Sequence, residues 1–276
     1  MFDKLLPERM KAGRLTPRRI GSALLRRLNE IPDLLTWVLG LQGARKNKEQ
    51  LRELKDAYRG ERCVIMGNGP SLKQMDLGLI ADEITFGLNR IYLLYPEITF
   101  RPNFLVSVNE LVLEQFAEDF RGLQEPLFLN WNQREHFNPG AVKHLFLKVH
   151  LGLRDRFSPD ITQPISTGGT VTFVAIQIAY FLGFQEVVLV GVDHSFRQTG
   201  VPNLTETRAQ EKDVDHFHPD YFPKGSRWQI PDLKRSELAY QLAREAFEKD
   251  GRRIVDATVN GQCPVFNKID YRTYFG

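Results

Sequence analysis

"FLGFQEVVLVGVD", residues 181–193, decides the fold: a helix tail, Gly183 to close it, and a run of apolar residues that enters a sheet. A strand that is apolar without alternation is buried on both faces, which is the habit of a parallel sheet covered by helices. Working outward, "TVTFVAIQIAYFLGF" (170–184) reads as a long buried helix, and "DLKRSELAYQLAREAFEKDG" (232–251) as an amphipathic one. Further short β-rich runs are "RCVIMG" (62–67), "EITFGLN" (83–89), "NFLVSVN" (103–109), "PLFLNW" (126–131), "HLFLKVH" (144–150) and "RRIVDAT" (252–258). The alternation predicts an α/β protein with a Rossmann-like, mostly parallel sheet and helices on both faces.

Two segments stand apart from this core. Residues 1–59 read as a basic amphipathic helical arm, in which Ile20, Leu24, Leu25 and Leu28 keep helical spacing and Pro32 breaks the pattern. Residues 60–276 form the Rossmann-like domain. Within it, "RQTGVPNLTETRAQEKDVDHFHPDYFPKGSRWQIP" (197–231) is a long polar loop, the length of a lid.

Composition narrows the class. The 276 residues carry a net charge of +3, but residues 1–59 hold 14 Lys and Arg against 7 Asp and Glu, leaving 23 against 27 for the rest. The basic excess sits on the arm, which argues against a nucleic-acid-binding core. No apolar run is long enough to span a membrane. Arg14, Arg18, Arg19, Arg26 and Arg27 interrupt any signal-peptide core. With only Cys63 and Cys263, the expectation is a cytoplasmic protein without disulfides. Residues 15–45 suit either packing on the domain or peripheral contact with an anionic inner membrane face, and the apolar residues of 31–42 suit a homo-oligomer.

Ligands of such sheets bind beyond the carboxyl ends of the strands. There the sequence places Gly67-Asn68-Gly69-Pro70-Ser71, Asn89, Asn109, Asn130 with Asn132, and Gly191-Val192-Asp193. Asparagines at successive strand ends serve either turn chemistry or a polar ligand. Gly67 and Gly69 permit close approach, Pro70 presets a helical turn, Ser71 can cap exposed N–H groups, and a helix start offers such groups and its dipole to a phosphate. The stretch is neither a P-loop nor a dinucleotide fingerprint. "ISTGG" supplies Ser166, Thr167, Gly168 and Gly169 at the expected start of the long helix, a second such element.

"GNGPSL", Asn89, Asn109, "ISTGG" and "GFQEVVLVGVDHSF" occur in the order found in the sialyltransferases of glycosyltransferase family 42, and the chain also resembles the proteins grouped with the 6-hydroxymethylpterin diphosphokinase MptE. "DHFHPDYF" and "GRRIVDAT" resemble the MptE-like group more closely. The likeness covers about Glu61 to Phe266. The sialyltransferase resemblance implies that Asn68, Gly69, Ser71, Asn89, Ser166, Thr167, Gly168, Gly191 and Asp193 hold a CMP moiety, with Asn109 near the donor sugar. It implies a lid base without metal, for which His216 is the choice over His218, and a lid tyrosine, Tyr221, at the leaving phosphate. The acceptor would be a glycan or small-molecule hydroxyl. The MptE-like resemblance implies instead ATP and Mg²⁺, with Asp213 and Asp215 as candidate ligands and a pterin-like alcohol as substrate. A third reading keeps the nucleotide fold as a non-catalytic binding module.

Overall fold

Strand β1 (Arg62–Met66) runs through the middle of an eight-stranded sheet in the computed structural model, which describes residues 30–137, 141, 143–150, 154–197 and 200–276. On one side of it lie β2 (Ile84–Leu88), β3 (Phe104–Ser107), β4 (Leu127–Asn130) and β5 (His144–Leu147), in chain order outward. The chain then returns to the other side of β1 as β6 (Glu186–Val190). A separate antiparallel ribbon, β7 (Thr205–Thr207) with β8 (Arg227–Gln229), precedes β9 (Arg253–Asp256) and β10 (Asn267–Lys268), which extend the sheet beyond β6. Every pairing in the large sheet is parallel. All the strands the sequence predicts are present. The strand order reverses between β1 and β6, the switch point at which such sheets open a crevice.

The helices are α1 (Ala44–Glu53), α2 (Glu110–Gly122), α3 (Val171–Leu182), α4 (Leu233–Lys249) and α5 (Tyr271–Phe275). Helix α3 is buried along nearly its whole length, because it is apolar all round and lies between the sheet and α4. Burying each of its Val, Ile, Phe and Leu side chains stabilises by roughly 1.5–3 kcal/mol. Helix α2 was not apparent from the strand pattern.

In the arm, residues 30–38 are helical through Pro32. The break expected at that proline falls instead at Gly40 and Gly43, whose φ values of +70° and +85° no helix accepts. Residues 15–28, with their predicted amphipathic pattern, lie outside the described residues. The arm covers the β5 end of the sheet. The Asn47 amide donates to the Phe146 carbonyl (2.8 Å) and accepts from the Phe146 N–H (2.7 Å), so it stands where a further strand would pair. Trp37 packs edge-on to Trp131 and donates to the Thr162 carbonyl, and Asp33 pairs with Arg134.

Candidate functional site

The ends of β1 and β6 are stitched to one another. Gly67 N–H donates to Val190 O (2.8 Å) and Gly69 N–H to Gly191 O (2.9 Å). The Ser71 N–H and hydroxyl then donate to the two carboxylate oxygens of Asp193, at 3.1 and 2.6 Å. A Cβ at Gly69 would lie 1.8 Å from Asp193 Oδ2, and one at Gly67 2.3 Å from Gly191 O. Both glycines therefore serve the approach of β6's own chain. Pro70 opens a 3₁₀ turn (Pro70–Gln74), not an α-helix, and the anion at that turn is Asp193 itself. Burial pushes the Asp193 carboxyl above its usual range, although the Ser71 bonds pull the other way.

Asn68, between the glycines, is placed differently. Its side-chain Oδ1 is buried and has no partner among the described residues. An unmet buried acceptor costs about 1–3 kcal/mol, so this oxygen is the open hydrogen-bonding position of the turn. Its backbone carbonyl accepts the N–H of Phe217 (2.9 Å), which docks the lid onto the Gly-Asn-Gly turn.

The lid has a core of its own, contrary to the polar loop its composition suggests. Phe217, Tyr221, Phe222, Trp228 and Ile230 are buried, and the β7–β8 ribbon frames them. Buried with them is an ion pair, Arg208 to Asp213 at 3.2 Å. The other oxygen of Asp213 accepts from His216 Nδ1 (2.9 Å). That bond leaves His216 Nε2 as the ring nitrogen without a hydrogen-bond partner among the described residues. Although burial works against ionisation, the His216 and Asp215 hydrogen bonds and the Arg208 charge leave Asp213 below the ordinary carboxylate range. Tyr221 stacks flat on His216, ring centres 4.0 Å apart, and its hydroxyl reaches Asn89. Burial drives the Tyr221 phenol well up, so it stays a hydrogen-bond donor. From the end of β2, Arg90 holds the lid down by donating to the carbonyls of Asp220 and Tyr221 while lying 3.7 Å over the Phe116 ring. His218 Nδ1 only accepts the Asp220 N–H, closing a turn.

"ISTGG" does not open the long helix. Gly168 and Gly169 have φ of +60° and +79°, which no helix accommodates, so α3 begins at Val171 with the Thr170 hydroxyl as its cap. A Cβ at Gly168 would lie 2.4 Å from that of Ala239, which makes its smallness a matter of packing against α4. Ser166 is buried and accepts from Arg156 N–H (3.3 Å), and Thr167 accepts from Gly169 N–H. Helix α4 brings this stretch beside β6: Tyr240 reaches Thr170 with its hydroxyl (3.5 Å) and His194 with its ring.

The remaining asparagines divide. Asn89, at φ +45°, accepts from the Ser107 hydroxyl and meets Tyr221 of the lid. Asn109 caps α2 through Leu111 and Val112 N–H. Asn130 caps the turn after β4, and Asn132 accepts from the buried Lys148 at 2.6 Å. Three functional-looking residues escaped the sequence reading. Arg90 and Arg208 act through contacts far away in the chain, and only His194 carried a signal, as the residue directly after Asp193. At φ +55°, His194 bonds Glu237 of α4 at 3.0 Å.

A hydrated Mg²⁺ needs open carboxylate oxygens. Asp213 spends both of its on Arg208, His216 and Asp215 N–H, whereas Asp215 is buried with Oδ1 on Arg197 N–H and Oδ2 without a partner among the described residues. The pair thus offers a single open oxygen, and no three His, Cys, Asp or Glu among the described residues converge as a metal cradle. Nor is any described helix long and apolar enough to cross a membrane.

A doubly wound, Rossmann-like α/β domain with a lid docked at its switch point is the class that this geometry defines. The chain belongs to the MptE-like family, whose model, "6-hydroxymethylpterin diphosphokinase MptE-like", matches residues 41–199. No curated protein matches the sequence. Among solved structures it is similar to the MAf glycosyltransferase from Magnetospirillum magneticum AMB-1, with a TM-score of 0.48 and 15% identity over 83% of this chain. The chain spans only 38% of that protein.

Proposed function

We propose that this protein is a nucleotide-sugar-dependent glycosyltransferase that passes a nonulosonic-type sugar from a CMP donor to a glycan or other hydroxyl acceptor. The observation that carries the reading is the Asp213–His216 pair, docked over the Asn68 turn with His216 Nε2 unpartnered. Asp213 accepts the Nδ1 proton, which fixes the tautomer and leaves the Nε2 lone pair facing outward from that bond. The acceptor oxygen would attack the anomeric carbon, its proton passing to Nε2 while the bond to the donor phosphate breaks and CMP departs. Half-buried Asn89 suits a polar contact of the nucleotide, with the buried Tyr221 hydroxyl behind it, and Asn68 Oδ1 offers an acceptor for a base amine or ribose hydroxyl. No step draws on a metal.

The family description favours a second reading, an ATP- and Mg²⁺-dependent pyrophosphokinase of a pterin-like alcohol. A thermal-shift panel of CMP, CDP, UDP, GDP, ADP and ATP, with and without Mg²⁺, separates the two, since a ligand of the folded state raises the Tm. Stabilisation by CMP without metal is the expected result. Stabilisation by ATP only with Mg²⁺ overturns the transferase, and silence across the panel leaves a protein that does not bind nucleotides at this crevice.

A further inference from the structure

The helical stretch 30–38 is amphipathic in the inverted sense. Its inward side carries Asp33, Thr36 and Trp37, each satisfied: Asp33 by Arg134, the Thr36 hydroxyl by Trp131 Nε1–H, and Trp37 by the Thr162 carbonyl. Its outward side carries Ile31, Leu34, Leu35 and Val38, at the i, i+3, i+4, i+7 spacing that normally faces a core. With Leu39 and Leu41 after them, these six are 37–65% exposed. A contiguous apolar patch of this kind marks an interaction surface. It is also held rigidly, because the polar bonds beneath fix it to residues that follow β4 and precede α3. Those residues lie on the carboxyl edge of the sheet, the same edge as the candidate site.

We infer that this stripe docks on an anionic lipid surface. The choice of lipid over a second copy of the chain rests on charge. The 29 residues leading into the stripe contain eight Lys and Arg against Asp3 and Glu8, and exposed Arg45 and Lys46 follow it. Two identical copies meeting at the stripe would bring two such basic segments together, whereas an anionic headgroup layer neutralises them. Apolar side chains entering the headgroup boundary beside basic ones are the two components of interfacial binding. Docked in this way, the chain would turn its crevice edge toward the membrane, where a hydroxyl on a lipid-linked molecule is within reach. The docking itself does not depend on the proposed transferase activity.

The test is flotation of the full chain with vesicles of phosphatidylcholine alone and with phosphatidylglycerol added, alongside sedimentation equilibrium without lipid. The chain should float with the anionic vesicles, less so at high salt, and remain a monomer in solution. Leu35→Glu combined with Val38→Glu, both solvent-facing, should weaken flotation by on the order of tenfold or more with an unchanged Tm. Milder Leu35→Ser with Val38→Ser serves should the charged pair fail to fold. Three results overturn the inference: no flotation with anionic vesicles, flotation equal in the variants, or a dimer that the same substitutions dissolve. The last identifies a second copy as the occupant. CMP binding in the thermal panel is read separately, so failure of the docking and failure of the transferase reading are distinguishable.

Discussion

Phe217 donates its backbone N–H to the carbonyl of Asn68 at 2.9 Å, which ties the lid to the turn between β1 and the rest of the chain. The next residue back, His216, is therefore positioned by main chain as well as by Asp213. The contact joins the two parts of the site that sequence places about 150 residues apart.

Replacing the base tests this arrangement first. His216→Ala should lower kcat for sugar transfer by about 10²–10⁴-fold, the usual contribution of a general base, while KM for the donor changes little. His218→Ala, which removes only a turn contact, should leave kcat within about twofold. Equal losses in the two variants would remove His216 from the mechanism.

Asn68→Ala separates binding from stability. The unmet Oδ1 stabilises nothing in the free protein, so the Tm should hold or rise slightly. Nucleotide affinity should fall by about tenfold, the worth of one good hydrogen bond. Calorimetry and a melting curve on the same sample decide it, and an unchanged affinity places the ligand elsewhere.

Gly69→Ala and Ser71→Ala report on the β1–β6 stitch. The first drives a methyl into the Asp193 carboxylate and should cost about 2 kcal/mol or more. Ser71→Ala removes one hydroxyl bond to a charged group, about 1.5–3 kcal/mol, or several degrees in Tm.

Arg208→Met leaves Asp213 buried and without its cation, a loss of about 3–5 kcal/mol confined to the lid. Limited proteolysis should then cut within 205–229 while the sheet stays resistant. Global unfolding instead of local cutting would show that lid and sheet form one cooperative unit.

Acid should loosen the lid by the same route. The folded pKa of Asp213 is depressed, so the folded lid binds its proton less readily than the unfolded one. The stability it contributes is present above the ordinary carboxylate pKa and is lost as pH falls through the depressed folded value. Hydrogen exchange at the Phe217 amide should keep its protection near pH 5 and lose it well below pH 4, the usual aspartate value. Asp213→Asn should remove that acid dependence.

The fold was largely legible because its signal is local. An unbroken apolar run such as "EVVLV" can satisfy itself only inside a covered parallel sheet, and helix α3 declares its burial by being apolar on every side. Much less of the site could be read. Asn109, Asn130 and Asn89 look alike as strand-end asparagines, yet the first two cap turns and helices and only the third meets the lid, a distinction set by how each side chain points. Gly67 and Gly69 signalled close approach correctly, but the partner is β6's own chain, 122 residues on from Ser71 in the case of Asp193. Arg208 and Arg90 gave no sequence signal. Their roles come from long-range contacts to Asp213 and to lid carbonyls.

Asn47 holds a position whose consequence lies outside the site. By presenting one amide to both the N–H and the carbonyl of Phe146, it plays the part of a single peptide unit from a neighbour that never arrives. The backbone of Ile165 pairs with Lys148 and His150 just beyond the strand, and the rim of β5 is thus closed at Phe146 by a side chain. Without it, the outer rim of β5 would carry unpaired main-chain groups ready to recruit another molecule's strand. The residue that ends the sheet also keeps each copy of the protein from becoming the template for the next.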